Sequence, residues 1–323
     1  MANQPDAAHF EMVANRLLDG GVVPFLGAGV NLCGRPETAH WERGRYLPSG
    51  SELASHLATG IGLRYPYGDS SDLLRVSQYV DVSLGNGPLY EALHAVFDAD
   101  YSPTPVHRTL AAVPALIRAR AAGAHCFYPL YITTNYDDAL ENAFRDAGEE
   151  FDLLTYIADG PSSGKFRHTR PDGTSEVILV PNSYTGLTCD ERPVIAKIHG
   201  AVDRHAEQDD SFVITENHYI EYLSRSDTAQ LIPVNILARM HRCNFLFLGY
   251  SLSDWNLRVI LHRLWGDRGL KYNSWAVQPQ PERIEEKAWA RRNVELLDMR
   301  LEGYTTELDS WLTRALQPAT ESP

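Results

Sequence analysis

No apolar run in this 323-residue sequence approaches the roughly 20 residues that span a bilayer. Residues Met1 to Asp6 are polar and acidic, not a basic stretch leading into an apolar one. The chain is therefore expected to be soluble, unexported and cytoplasmic, with no membrane partner. Basic residues are also scarce: 29 Lys and Arg stand against 42 Asp and Glu, a formal charge of −13. That balance opposes non-specific attraction to nucleic acid, so no direct nucleic-acid ligand is expected. Cysteine is rarer still. Cys33, Cys126, Cys189 and Cys243 lie far apart, form no C-x-x-C pair for zinc and suggest no disulfide framework, so no metal is expected.

What is present is an alternation of short apolar strands and amphipathic helices. An initial helix over about His9 to Leu18 leads to a strand at Val22 to Leu26, then to a Gly-, Pro- and Arg-rich stretch from Asn31 to Gly50, long enough for a lid. Helical periodicities follow at Ser51 to Ile61, Asp72 to Val82, Pro88 to Phe97 and Val106 to Ala121. After the apolar run Cys126 to Thr133 the pattern changes. Strands are expected at Leu153 to Ile157, Glu176 to Val180, Val194 to Ile198, Asn244 to Leu248, Ser274 to Val277 and Val294 to Leu297. Helices are expected at Glu216 to Leu223, Thr228 to His241, Asp254 to Trp265, Glu282 to Ala290 and Thr305 to Ala315, and Asp159 to Gly173 reads as a mobile loop or hairpin. The expected fold is α/β: a Rossmann-like, doubly wound, mainly parallel sheet with an inserted small helical domain. Residues 1–323 read as a single domain, with the sheet in 1–30 and 126–323 and the lid loop and helical subdomain in 31–125.

Four segments carry candidate chemistry. Val22 to Val30, V-V-P-F-L-G-A-G-V, is a strand entering a tight glycine turn whose backbone N–H groups can approach a pyrophosphate. An ordinary buried turn is the alternative, since Gly34 comes one residue late for the full dinucleotide fingerprint. Tyr131 to Asp138, Y-I-T-T-N-Y-D-D, sets Asn135, Asp137 and Asp138 at a strand-to-helix corner, where such side chains meet a ligand or merely cap the helix. Val194 to Gly200, V-I-A-K-I-H-G, ends a buried strand in His199, either an acid–base group facing a cleft or a satisfied structural histidine. Asn244 to Arg258, N-F-L-F-L-G-Y-S-L-S-D-W-N-L-R, offers a second phosphate-binding turn, with Ser253 or Asp254 at the cap of a helix.

In this order, and with Thr104 to Pro114 and Trp275 to Gln278 in support, the segments resemble the sirtuin-like NAD-binding domain over about Phe10 to Leu316. More narrowly they resemble its bacterial branch that hydrolyses NAD in antiphage defence. The zinc module of the deacylase branch is missing; its place after the histidine strand is taken by the short acidic Ala201 to Phe212.

The resemblance implies NAD as substrate and a set of roles. Asn135 would orient the ribose and the attacking water, Asp137 would hold the nicotinamide carboxamide, and His199 would be the general base. Gly27, Ala28 and Gly29 would cradle the pyrophosphate, and Gly249 and Ser251 would bind phosphate or the adenosine ribose from the other side. Asn31, Thr134, Tyr250 and Asp254 complete the expected binding set. Asn31 stands where relatives often carry serine, Tyr250 where deacylases carry threonine and Thr134 where they carry glutamine. Gln278 would touch the adenosine or simply end a strand. The implied function is an NAD glycohydrolase that depletes NAD in abortive infection, activated by homo-oligomerisation or by a partner such as an ATPase- or nuclease-type sensor. An ADP-ribosyltransferase or deacylase and a non-catalytic NAD sensor are the alternatives.

Overall fold

The structure is a computed structural model that describes residues 4–224, 232–250, 261 and 270–316. The chain opens with α1 (Ala7–Leu18), whose N-cap Asp6 accepts a hydrogen bond from the His9 amide, and with β1 (Val22–Leu26), buried throughout. Helices α2 (Gly50–Gly60), α3 (Leu73–Leu84), α4 (Asn86–Phe97) and α5 (Pro105–Ala121) come before β2 (Leu130–Thr133) and α6 (Ala139–Asp146). Three strands follow, β3 (Asp152–Tyr156), β4 (Phe166–Thr169) and β5 (Ser175–Ile178), then β6 (Val194–Lys197) and the two-residue pair β7 (Gly200–Ala201) and β8 (Ser211–Phe212). The remaining elements are α7 (Glu216–Ser224), α8 (Val234–Met240), β9 (Asn244–Leu248), β10 (Ser274–Val277), α9 (Arg283–Ala290), β11 (Val294–Leu297) and α10 (Leu301–Arg314).

Nine strands form one sheet in the order β11-β10-β9-β1-β2-β6-β3-β4-β5. All neighbours from β11 to β3 run parallel; β4 and β5 are added antiparallel. The sheet is Rossmann-like and doubly wound, as expected. Side-chain alternation splits its two faces. Val23, Phe25, Phe245 and Phe247 pack on the side of α8 and α9 with Ile236 and Trp289, whereas Val22, Leu26, Leu246 and Leu248 pack on the side of α1, α5 and α10 with Leu17, Leu110 and Leu308. Both faces being covered explains why these strands read as unbroken apolar runs.

Helices α2, α3 and α4 form a separate core around Leu57, Val80 and Leu93 that also takes in Ala139, Val202 and Phe212 from the sheet portion. They therefore lie over the end of the sheet where β2 and β6 finish. Helix α5, counted with this block from sequence, packs its Val106, Leu110 and Ile117 on the sheet face instead. The stretch 159–173 takes the hairpin form of the two read from sequence, β4 pairing antiparallel with β3 and β5. It contains β4, whose His168 is buried between Asp152 and the Tyr184 hydroxyl, at 2.9 and 2.6 Å. The expected helices over Thr228 to His241 and Asp254 to Trp265 fall partly or almost wholly outside the described residues; within them, the first is seen as α8.

Chain order locates the crevice. From β1 the chain moves to β2, β3 and β6 on one side, then crosses to β9, β10 and β11 on the other. The carboxyl ends of β1, β2 and β9 thus flank a topological switch point, where open α/β sheets bind ligands.

One buried ion pair fixes the corner after β2. Lys197, 1% exposed at its side chain, donates to the Asp137 carbonyl and to Glu141 Oε1 at 2.7 Å, and Glu141 is 2% exposed. Removing one member leaves the other buried without a counter-charge. Lys197→Met should therefore lower the unfolding free energy by about 3–5 kcal/mol. Adding Glu141→Leu should restore part of that loss, because the orphaned carboxylate goes with it. Urea denaturation of both variants reads the two values, and a double variant less stable than Lys197→Met would contradict the pairing.

Candidate active site

Four strand ends meet at the switch point. After β1 the chain turns through Gly27 into a single 3₁₀ segment, Ala28–Leu32. Gly27 N–H donates to Leu248 O at 3.0 Å and Gly29 N–H to Gly249 O at 2.8 Å, so the first glycine turn is bonded to the turn after β9. The fit requires glycine on both sides. A Cβ on Gly29 would lie 2.7 Å from Gly249 O, and Gly249, at φ +72°, would place one 2.3 Å from Val30 N. Two of the three N–H groups assigned to pyrophosphate are thus already engaged by the protein. Ala28 is exposed and lines the pocket.

The pocket has a volume of about 140 Å³ and is walled by Ala28, Asn31, Thr134, Asn135, Asp137 and His199, together with Tyr250 and with Pro48, Ser49 and Gly50. Those last three residues end the lid loop and begin α2. The loop is held by Arg35, which bonds both carboxylate oxygens of Glu52 and the carbonyls of Ala39 and Leu47. Glu52 also accepts from the Trp41 and Ser49 amides. Hydrogen bonding from Arg35 holds its carboxyl down to about 2.

His199 is only 5% exposed, its ring edge-on to Tyr219 and Tyr222 at centroid distances of 5.5 and 6.0 Å. Its Nε2 has no hydrogen-bond partner. Burial in this aromatic setting pushes the imidazole down to about 3, so the ring is neutral at physiological pH. A neutral imidazole with a free nitrogen in a pocket wall can accept a hydrogen bond from a water or hydroxyl, and its burial makes it a weaker base than an exposed imidazole.

The corner after β2 is rigid. Thr133 Oγ1 accepts from the Asn135 amide at 3.0 Å, and Asn135 Nδ2 donates to Gly27 O at 3.2 Å, which joins the corner to the glycine turn. Thr134 and Tyr250 hydroxyls lie 2.9 Å apart, and Tyr250 donates to Leu26 O at 3.0 Å. Asp137 accepts from Asn31 Nδ2 at 2.7 Å and from the Ala139 amide at 3.1 Å. Burial pushes its carboxyl above the usual range, while the Lys197 charge and these two donors pull the other way. Each Asp137 oxygen thus accepts one protein donor, one in starting α6 and one in orienting Asn31. A carboxylate accepts and does not donate, so it fixes the Asn31 amide with nitrogen inward. Asn31 Oδ1 is left buried without a partner, in a residue 7% exposed.

The structure brings Gly27, Ala28, Asn31, Thr134, Asn135, Asp137, His199 and Tyr250 together. Gln278 lies apart, in a second pocket of about 620 Å³ that shares Tyr250 and the Gly29 and Gly249 turns. Ser251 and Asp254 lie outside the described residues. Sequence reading did not single out Lys197, Tyr219 or Glu52. A lysine inside the apolar run V-I-A-K-I was the one available signal, since a buried lysine demands a partner. Among the described residues, no group of three or more His, Cys, Asp or Glu could hold a metal ion, and no helix is long and apolar enough to cross a membrane. The four cysteines are free thiols.

A NAD(+) hydrolase ThsA of Acinetobacter baumannii (strain 532279) is 27% identical over 206 residues, 63% of this chain and 33% of that protein. A NAD(+) hydrolase ThsA of Enterococcus faecium is 27% identical over 244 residues, 75% of this chain and 39% of that protein. One from Cytobacillus dafuensis is 24% identical over 194 residues, 60% of this chain and 30% of that protein. The matched chain thus spans between 30% and 39% of the length of these relatives. The family model of the SIR2-like domain matches residues 129–297, from the strand before the Asn135 corner to the end of β11, which is more than half of the sequence. The chain belongs to the SIR2-like domain family.

Proposed function

We propose that this chain is a NAD glycohydrolase, cleaving NAD to nicotinamide and ADP-ribose. The observation that carries the reading is His199: a neutral, desolvated imidazole with an unpartnered Nε2 in the wall of a pocket at the sheet's switch point. Relatives named as NAD(+) hydrolases support it. In the reaction the bond between the ribose anomeric carbon and the nicotinamide nitrogen breaks, and its electron pair neutralises the pyridinium. A water oxygen bonds to the anomeric carbon and gives its proton to His199. The leaving group is already cationic and needs no general acid, so positioning and a base suffice.

Asn135, held by Gly27 O, keeps its carbonyl oxygen available to the water or a ribose hydroxyl. Asn31 Oδ1 offers a second fixed acceptor, for a ribose hydroxyl or the carboxamide NH₂. Asp137 acts through Asn31, as its positioning residue. The pocket's 140 Å³ falls below the roughly 300–1,000 Å³ of typical ligand sites. A pocket this small suits an enzyme kept inactive until self-association or a sensor partner of ATPase or nuclease type widens it, with antiphage defence by NAD depletion as the setting.

Purified protein given NAD and no other substrate should release one nicotinamide per NAD consumed. His199→Gln and Asn135→Ala should each lower kcat by about 10²- to 10⁴-fold while circular dichroism and Tm stay near those of the parent. A folded His199→Gln protein with parental turnover removes the histidine from the chemistry.

The pH profile gives an independent reading. The base works unprotonated, so activity is present above its folded pKa and lost as pH falls through it. With that pKa near about 3 in the free protein, the acid limb of kcat/KM should lie well below the ordinary imidazole value of about 6.5. The unfolded imidazole still titrates near about 6.5, so fold stability should decline as pH drops below that value, and rates must be taken where the protein remains folded. An acid limb at or above about 6.5 in a stably folded protein would contradict the desolvated base.

A further inference from the structure

We propose that the amino-terminal edge of the sheet, opposite the pocket, is a docking surface for a short acidic segment of a partner protein that carries an apolar residue. Strands β2, β1, β9, β10 and β11 lie side by side and run parallel, so the segments that lead into them all arrive at that one edge. Each brings a cation. Arg16 lies in the last turn of α1 before β1, Arg120 and His125 precede β2, Arg242 precedes β9, Lys271 precedes β10 and Arg291 precedes β11; all are exposed. Among the described residues of 15–21, 115–129, 237–243, 270–273 and 290–293, Asp19 is the one carboxylate, 3.7 Å from Arg120. The whole chain carries 42 acidic against 29 basic residues, so this edge runs against the charge of the molecule that bears it.

Cations in the last turns of α1, α5 and α8 also offset the negative ends of those helices. That role covers Arg16, Arg120 and Arg239. It does not call for His125 or Lys271, which lie outside helices, nor for an exposed aromatic ring among them. Phe127 is 46% exposed. The Arg239 guanidinium lies 5.4 Å from its ring centre, and the His125 ring meets it edge-on at 4.9 Å. Arg239 is itself bonded to the Gly20 and Tyr128 carbonyls, so the cation beside the ring is held in place. Before β10, the Lys271 ammonium lies 5.3 Å from the centre of the Tyr272 ring. Five neighbouring strands about 4.8 Å apart give the patch a width of about 20 Å, the length of about six extended residues. Beyond β2 the edge turns acidic, with Asp190 and Glu191 exposed before β6. A short acidic segment ends where the cations end, whereas a nucleic-acid strand continues past them against a chain of formal charge −13. Phe127 gives such a segment an apolar anchor between the cations. This surface is remote from the pocket, and the proposal does not depend on the hydrolase reading.

The test measures, by fluorescence anisotropy, the binding of a labelled peptide to the 323-residue chain. The peptide has about eight glutamate and aspartate residues around one central leucine, long enough to cross the patch. Its comparators carry serine in place of the leucine or lysine in place of the acidic residues, and a single-stranded oligonucleotide of similar length is the third. The parent should bind the acidic peptide saturably, more weakly as salt rises, and should not bind the lysine peptide. Arg242→Glu combined with Lys271→Glu, both at exposed positions, should weaken binding by about tenfold or more. Phe127→Ser and the serine peptide should each weaken it several-fold, and the two together should add little, because each removes the same contact. Circular dichroism checks the fold of each variant; should Phe127→Ser unfold, the serine peptide on the parent tests the same contact. No binding of the acidic peptide by the parent, an unchanged affinity in the charge-reversed variant, or an oligonucleotide bound as tightly as the peptide overturns the proposal.

Discussion

The Lys197 ammonium is the point on which the geometry of the pocket depends. It sits at the end of β6, two residues before His199, and bonds the Asp137 carbonyl and the Glu141 carboxylate across the corner that follows β2. One cation thereby sets the spacing between the strand that carries the imidazole and the turn that carries Asn135 and Asp137. A neutral side chain of equal length could fill the same space but could not hold a carbonyl and a carboxylate together in an apolar interior, where an ion–dipole contact is strong. The Asn135 contact to Gly27 O and the Gly29 contact to Gly249 O extend the same framework across β1 to β9. Four strand ends are thus tied into one rigid rim by a lysine, an asparagine and two glycine turns.

On this rim, Asn31 is oriented by a carboxylate that does not itself need to meet the ligand. Asp137 turns Asn31 so that its carbonyl oxygen is left over. The same carboxylate is also used in starting α6. The folded scaffold therefore orients this acceptor before any ligand arrives, so less ordering is left for the binding step. His199 follows a different rule. No charge orients it; burial alone keeps it neutral, and a protein that placed an aspartate beside it would raise its affinity for protons and lose the free acceptor near neutral pH.

Much of the fold was legible because the parallel strands are buried on both faces. The runs Val22–Leu26, Asn244–Leu248, Ser274–Val277 and Val294–Leu297 appear in the structure with the limits read from sequence. Strand β4 was hidden because its four residues, Phe-Arg-His-Thr, alternate between polar and buried over too short a span, and its histidine enters the core only through partners at Asp152 and Tyr184. The site was legible as a set of strand ends but not as a set of contacts. Asn31 and Asp137 are separated by 106 positions, and nothing local to either shows that one orients the other. That Gly27 and Gly29 spend their N–H groups on the turn after β9 likewise depends on a strand pairing over more than 200 residues.

The lid gives the rim its last constraint. Residues 31–50 lack regular structure for most of their length, and from sequence they read as long enough for a lid. Arg35 and Glu52 gather the carbonyls of Ala39 and Leu47 and the amides of Trp41 and Ser49 around one ion pair, and Ser49 begins α2 through a capping box with the same Glu52. The lid is therefore continuous with the helical subdomain. Pro48, Ser49 and Gly50 cannot swing away from the pocket by loop motion alone without breaking that ion pair or its hydrogen bonds. Widening a 140 Å³ cavity to admit a dinucleotide on this side then involves the group α2, α3 and α4, whose shared core also packs Ala139, Val202 and Phe212. On the proposed reading, a contact made on the outer face of those helices would bear on the pocket through α2, which links activation from outside to the position of three residues in the pocket wall.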